Sequence, residues 1–338
     1  MAKIVTALGA SHGPLLGTAP ERWDERAKFD RTNQNLVFEG ETLSFDQLLL
    51  RRGAFAADQS SLLRRRAADE LNQWALDELA ARWRAIEREV DVLVIVSSDH
   101  KEIFDDELLP GFAVYWGDSV DHVPFTEQQL HAMAPGLSEA ALGDVPAELI
   151  SRPCHPALAR QVITTTLAEG FDTCASKALP AGRYGNHGIP HGWGFIYQRI
   201  LGERCTVPMV PIFVNTFYEP NPPSARRCLQ FGRALGQAIT SFPEDLKVGL
   251  IASGGLTHFV IDEALDRNFL EAVKCDDQDY LGSIPSPVLR SGTSELRNWI
   301  VVAGALAGSG LKAEEIAYSP SYRTEAGTGA GMGFVQWS

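Results

Sequence analysis

Val248-Gly249-Leu250-Ile251-Ala252, followed by Ser253-Gly254-Gly255-Leu256-Thr257-His258, decides how the chain is read. The apolar run has the length of a buried strand, and the glycine pair lets the backbone turn sharply where that strand leaves its sheet. His258 is the side chain such a turn presents at the sheet edge. Three other stretches share the form. Lys3 to Ala10 runs into Ser11-His12-Gly13-Pro14, Asp91 to Ser97 runs into Ser98-Asp99-His100, and Tyr184 to Gly192 is a glycine-rich loop holding His187 and His191. Five of the eight histidines therefore fall at expected strand ends or in one tight loop, where α/β folds gather their sites.

Outward from these points the chain alternates strand and helix. Val92 to Val96 is a continuous β-branched run, as expected for a strand covered on both faces. From Ser61 to Val90 the spacing of Leu63, Ala67, Leu71, Trp74, Leu79, Trp83 and Ile86 predicts a helix with one apolar stripe. Phe112 to Trp116 and Val207 to Val214 read as further strands, the second placed at an edge or bulge by Pro208 and Pro211. Helices are expected over about 156–169, 195–201, 222–239 and 293–306. The alternation argues for a three-layer α/β/α sandwich. Residues 1–338 are expected to form a single catalytic α/β domain, with Gly17 to Ser61 a lid-like insertion, because that stretch is polar, long and without period.

Composition narrows the function classes. The 338 residues are 45% apolar, enough for a full core, and a formal net charge of -13 argues against a general nucleic-acid binder. Arg64-Arg65-Arg66 is expected to be a solvated helix face. Cys154, Cys174, Cys205, Cys228 and Cys275 are odd in number and widely spaced, which predicts reduced thiols rather than a disulfide frame. With no leader-like segment or membrane-spanning run, a soluble cytoplasmic protein is expected.

Two imidazoles and one carboxylate on a common face hold an octahedral metal while leaving positions open for reactants. His12 and His100 are the candidates at strand ends, and spacing leaves the carboxylate open. His122 and His131 lack a strand end or glycine turn and are expected in surface or local capping roles, and His155 at a helix end. Glu295 in a first helical turn reads on its own as a capping residue. The chain has no H-E-x-x-H and no G-x-S-x-G, and Gly327, Gly329, Gly331 and Gly333 lack the following helix of a dinucleotide fingerprint. The residues alone support a metal-dependent α/β enzyme.

Ser11-His12-Gly13-Pro14, Ser98-Asp99-His100, Asn186-His187-Gly188, Ser253 to His258 and Ser291-Gly292-Thr293-Ser294-Glu295-Leu296 together resemble the class III extradiol ring-cleavage dioxygenases, the family of the protocatechuate 4,5-dioxygenase catalytic subunit. Arg227-Cys228 and Ser241 to Leu246 extend the likeness over nearly the whole chain outside Gly17 to Ser61. The resemblance implies a central mixed sheet, Fe(II) held by His12, His100 and Glu295, His258 as acid/base residue, and His187 as a second catalytic histidine. Substrate contacts are expected from His191, Thr257 and Asn186, with packing the alternative for His191. The implied substrates are O2 and a catechol- or gallate-like aromatic acid; a metal-dependent hydrolase on the same fold is the alternative.

Asn186 stands where the family often has Asp, and His191 is an additional histidine of the same loop. The 17–61 insertion resembles the longer single-chain members, of methylgallate dioxygenase type, and implies that no separate small subunit is required, while the family resemblance implies a homodimer.

Overall fold

A computed structural model of the chain describes residues 1–53, 58–133 and 136–338. Its strands, in chain order, are β1 (Lys3–Ala10), β2 (Leu36–Phe38), β3 (Glu41–Leu43), β4 (Val92–Ser97), β5 (Phe112–Tyr115), β6 (Ser119–His122), β7 (Ile150–Pro153), β8 (Cys174–Ser176), β9 (Met209–Val214), β10 (Lys247–Ser253), β11 (His258–Val260), β12 (Ala313–Tyr322) and β13 (Thr328–Trp337). Nine of them form one mixed sheet in the order β11-β13-β1-β10-β4-β9-β5-β8, with β12 on the free side of β13. β1, β10, β4 and β9 are mutually parallel neighbours. β13 runs antiparallel to β1 and closes that side.

Strand alternation explains the layering. Val92, Val94 and Val96 of β4 point to one face with Val248, Leu250 and Ala252 of β10, where the helices Pro156–Ala168, Ala225–Thr240, Glu263–Cys275 and Leu296–Leu306 cover them. Leu93 and Ile95 point to the other, under the Leu62–Ile86 helix and the helical segment 191–201. All six β4 residues are buried, as the β-branched run predicts. The result is the three-layer α/β/α sandwich expected from the alternation.

Several expectations are corrected. β9 is interior, between β4 and β5, and not an edge. Its ladder with β5 covers only Ile212, Phe213 and Val214, so Pro211 lies past the last β5 pair and its missing N–H leaves no gap there. On the Leu62–Ile86 helix, Leu76, Leu79 and Trp83 are buried, but Leu63 is 79% and Trp74 53% exposed. The first half of this helix buries polar groups that find partners: Asn72 Nδ2 donates to Ser321 Oγ at 3.0 Å. Arg65, expected in solvent, donates to the Arg323 carbonyl at 2.6 Å and to Asp24 at 2.9 Å.

The 17–61 stretch is not an irregular loop over its described residues. It folds as the helix Trp23–Thr32, the β2/β3 hairpin and the helix Phe45–Arg52, the last opened by a capping box of Ser44 and Gln47. Trp23 is fully buried, and Leu36, Phe45 and Leu48 form a small core with Val260 and Ala326. Residues 54–57 of the stretch lie outside the described residues. The five cysteines are free thiols. Among the described residues no helix is long and apolar enough to cross a membrane.

One buried arginine ties the site-bearing turn to the fold. Arg297 is 2% exposed and donates to the carbonyls of Pro223, Thr216 and Leu289 at 2.5, 2.8 and 2.7 Å. Arg297→Met would strand those acceptors in a dry interior, and an unsatisfied buried group costs about 1–3 kcal/mol. The expected loss is therefore about 3 kcal/mol or more, measured as a lower urea midpoint at unchanged slope. An unchanged midpoint would show that water replaces the guanidinium.

Candidate active site

β1, β10 and β4 release their chains at one edge because they are parallel and adjacent, with Ala10 paired to Ser253 and Ala252 to Val96. His12 follows the first, His258 the second and His100 the third. His100 and Lys101 have φ of 47° and 58°, a left-handed backbone that L-residues seldom adopt and that turns the His100 ring back over the sheet edge. Glu295 arrives from the helical layer, at the end of the tight turn Ser291–Glu295 that opens the Leu296–Leu306 helix. That helix is fastened beneath β10, where Asn298 Nδ2 donates to the Ser253 carbonyl at 3.0 Å and Trp299 Nε1 to the Gly254 carbonyl at 2.8 Å.

The hydrogen bonds assign the tautomer of His12. The Ser253 hydroxyl donates to the Gly192 carbonyl at 2.7 Å, so its proton is committed. His12 Nδ1, 2.9 Å from Ser253 Oγ, is then the donor of that pair. Its Nε2 is left without a proton, buried, with no hydrogen-bond partner among the described residues, 3.4 Å from Glu295 Oε1. The same Oε1 makes a short contact with His100 Nε2 and lies 3.3 Å from Ser98 Oγ, while Oε2 accepts from the Gly255 N–H at 2.5 Å.

Charge states follow from the surroundings. Burial pushes the Glu295 carboxyl upward, but its interactions with the facing rings of His12 and His100 outweigh it and hold the group well below the usual carboxylate range. Burial also lowers the pKa of His12, which favours the neutral ring. A bare imidazole nitrogen thus faces an ionised carboxylate in a dry recess, an arrangement that a shared cation satisfies. Two imidazoles and one carboxylate are the donor set of an open octahedral metal site, so the residues fit a divalent iron. A second grouping overlaps it: one ligand atom each of His12, His100 and His191 lie within 4.8 Å of one another.

His258 is held differently. Its Nδ1 donates to the Leu256 carbonyl at 2.9 Å, which leaves Nε2 as a free base facing the cavity, 3.7 Å from Glu295 Oε2. Burial lowers its pKa, against the opposing charge of Glu295. Gly292 makes room for it, since a Cβ there would stand 2.2 Å from His258 Cδ2. Behind it Asp266 accepts from the Thr257 N–H and hydroxyl and from the Tyr318 hydroxyl, each at 2.8 Å.

These residues open on a cavity of 710 Å³. Its lining includes His12, His100, His191, His258 and Glu295 but not His187, Asn186 or Thr257. His187 is exposed, its Nδ1 donating to the Leu179 carbonyl at 2.9 Å. The Asn186 amide oxygen accepts from the Gly188 N–H at 3.0 Å, and Thr257 is consumed by Asp266. The histidine that turns inward from the glycine-rich loop is His191, at the start of the His191–Ile196 helix. Its Nδ1 lies 2.5 Å from Glu102 Oε1 and its N–H donates to Glu102 Oε2 at 3.0 Å. Burial opposes protonation of His191, but Glu102 and then Asp144 outweigh it and raise its pKa to about 9.

Sequence reasoning missed Glu102, Asp144 and Arg26, all at the cavity. Glu102, two residues past His100, had a local signal; Arg26, within the insertion, had none. Of the remaining histidines, His131 bonds the Glu127 carbonyl at 2.7 Å and His155 Nδ1 accepts from Leu158 N–H as a helix cap. His122 departs from expectation: it is 1% exposed, and burial lowers its pKa to about 4.

Residues 67–333 match the family described as the catalytic LigB subunit of aromatic ring-opening dioxygenase. A gallate dioxygenase of Pseudomonas putida is 30% identical over 179 residues, 49% of this chain and 50% of that protein. A 2,3-dihydroxyphenylpropionate/2,3-dihydroxicinnamic acid 1,2-dioxygenase of Comamonas testosteroni is 29% identical over 195 residues, 57% of this chain and 50% of that protein. The matches span about half the length of these relatives. A solved structure of an uncharacterized Escherichia coli K12 protein covers 98% of this chain and 99% of its own at 16% identity, with a TM-score of 0.45.

Proposed function

The chain belongs to the family of the catalytic LigB subunit of aromatic ring-opening dioxygenases, and from that premise we propose that it is an Fe(II)-dependent extradiol dioxygenase acting on a dihydroxylated aromatic acid. In this reading residues 1–338 form one catalytic domain and the 17–61 segment walls its site. The observation that carries it is the bare, buried Nε2 of His12 facing ionised Glu295 beside His100, with the spare base of His258 on the same cavity. A structural metal site has no use for that base.

His12, His100 and Glu295 would hold the metal. Fe(II) bound there supplies a template for two adjacent ring oxygens and O2 and a conduit for electrons between them. His258 Nε2 takes the proton of a ring hydroxyl and returns it after cleavage, as an imidazole held neutral with one nitrogen bare does in both directions. His191, kept protonated by Glu102, faces the cavity as a hydrogen-bond donor to charge that develops on the ring-derived oxygens. The apolar wall of Leu15, Met133 and Leu137 limits water around the ring.

The test is anaerobic reconstitution with Fe(II), then oxygen consumption against gallate, protocatechuate and 2,3-dihydroxyphenylpropionate. Uptake of about one O2 per ring with a ring-opened chromophore is the expected result. An iron-loaded protein that consumes no oxygen with any of them would refute the reading.

The grouping of His12, His100 and His191 favours a second reading, a three-histidine site of hydrolytic type. The two readings part at His191. His191→Ala is expected to retain stoichiometric iron while losing turnover by about 10²-fold, as for one lost charge-stabilising donor. Metal analysis after desalting checks this, and iron lost with His191 would make that residue a ligand.

A further inference from the structure

A neutral His258 serves as a base at the cavity only while its one proton sits on Nδ1, and groups at both ends of the ring compete for that proton. Glu295 Oε2 stands 3.7 Å from Nε2 and would draw the proton there. At the other end Nδ1 lies 2.9 Å from the Leu256 carbonyl. Which nitrogen keeps the proton is set by the stronger acceptor. The Leu256–Thr257 peptide shows what strengthens the second one. Its carbonyl accepts from His258 Nδ1, and its N–H donates to Asp266 Oδ1 at 2.8 Å. The group is conjugated, so an anion at the N–H end adds negative charge to the oxygen and tightens the bond to Nδ1. β13 holds the flanking groups in place: the Leu256 N–H donates to the Gly331 carbonyl at 3.2 Å, and the Gly331 N–H to the Thr257 carbonyl at 2.8 Å.

Asp266 comes from the first turn of the Glu263–Cys275 helix and is fully buried. Its Oδ2 takes the hydroxyls of Thr257 and Tyr318, each at 2.8 Å, and Thr257 Oγ1 in turn accepts from the Asp262 N–H at 2.9 Å. A Cβ at Gly331 would stand 2.1 Å from Oδ2, so glycine there lets β13 pass the carboxylate. Burial pushes the pKa of Asp266 up to about 7 against these bonds, and the carboxylate predominates at pH 8. An amide of the same shape would satisfy the same partners, its oxygen facing the Thr257 N–H and its nitrogen the two hydroxyl oxygens. A structural bracket therefore has no need of the charge, which is costly to bury.

Resting on the ring-cleavage reading, we propose that Asp266 is a positioning residue that acts on His258 through the Leu256–Thr257 peptide, holding the ring proton on Nδ1 and leaving Nε2 bare to accept the proton of a substrate hydroxyl. Asp266 touches neither the substrate nor the three residues that would hold the metal. It sets which nitrogen of His258 is the base.

The first readout needs neither iron nor oxygen. Two-bond proton–nitrogen spectra of the metal-free protein labelled with nitrogen-15 histidine, recorded at pH 8, report the tautomer of His258, whose signals are those lost in His258→Asn. Wild type is expected in the Nδ1–H form, and Asp266→Asn should shift the two ring-nitrogen signals toward each other as proton passes to Nε2. The second readout is turnover of the Fe(II)-reconstituted protein at the same pH. Asp266→Asn should keep its iron and KM and lose about 10-fold in kcat, as for one charge-assisted hydrogen bond felt through a peptide group. Tyr322→Phe is the control for loosened packing: it removes the bond from the Tyr322 hydroxyl to Glu263 Oε1 at 2.7 Å, between the same helix and β12, and leaves Asp266 alone. It should keep both the wild-type spectrum and kcat. An unchanged tautomer or kcat in Asp266→Asn, a wild-type ring protonated on Nε2, or an equal loss of kcat in Tyr322→Phe would each overturn the assignment. The wild-type spectrum tests it even without a folded variant. Because the spectra need no turnover, the expected shift in a protein that consumes no O2 would refute ring cleavage and uphold the role of Asp266.

Discussion

Glu295→Ala is expected to remove stoichiometric Fe(II) binding and lower ring cleavage by about 10³-fold or more, since a metal contribution of several kcal/mol is lost at about 1.4 kcal/mol per decade. Among the described residues Glu295 is the only carboxylate touching both His12 and His100, and its second oxygen is pinned by the Gly255 N–H. Without it two neutral rings must hold a dication in a buried recess with no compensating charge. Glu295→Gln separates charge from shape: the side chain remains, the anion goes, and iron binding should fall as in the alanine variant. The metal-free Glu295→Gln protein should melt lower than wild type, because a carboxylate held well below its usual range stabilises the fold in its ionised form, and that contribution goes with the charge. Metal analysis after desalting, an oxygen electrode and thermal melts of the metal-free proteins measure all three. Iron retained at full stoichiometry by Glu295→Gln would remove the carboxylate from the ligand set.

His258→Asn is expected to keep its iron and lose about 10²- to 10⁴-fold in kcat, the range for one positioned acid/base group. The prediction rests on the division of its two nitrogens: Nδ1 is spent on the Leu256 carbonyl and Nε2 is free at the cavity. A pH profile distinguishes this from a structural role. Burial lowers the His258 pKa from its ordinary value near 6.5, so the neutral, proton-accepting ring predominates above that lowered value. Activity of the wild type should therefore fall as pH drops through a limb below 6.5, and that limb should vanish in His258→Asn. Loss of iron together with activity would show His258 to be a ligand instead.

What the sequence discloses about this site is set by how each residue gets there. His12, His100 and His258 were legible because they follow apolar runs, and parallel neighbouring strands end at one edge. Glu295 was not, because the start of a helix is also where an ordinary capping acid sits, and only the family resemblance pointed to it. The choice between His187 and His191 was beyond spacing. It turns on backbone bonds between segments distant in the chain, including Ile189 N–H to the Asp121 carbonyl at 2.8 Å, which hold His187 outward and start a helix at His191. The 17–61 stretch misled for a related reason: its apolar residues are too few to show a period, yet Trp23, Leu36 and Leu48 each find a buried place.

The strand order also sets a sequence of events in the life of the molecule. β1, which carries His12, pairs on one side with β10 and on the other with β13, and the Gly333 N–H reaches back to Ser11 Oγ across 322 positions. His100 and Glu295 are 195 positions apart. At a synthesis rate of about 5–20 residues per second, the first histidine waits many seconds before its partners exist. A metal held by His12, His100 and Glu295 would therefore meet its full set of donors only after most of the chain has been made. Which ion arrives is then decided by what the surroundings offer at that moment, because imidazole and carboxylate donors bind copper and zinc more tightly than Fe(II). For such a centre, supply governs identity.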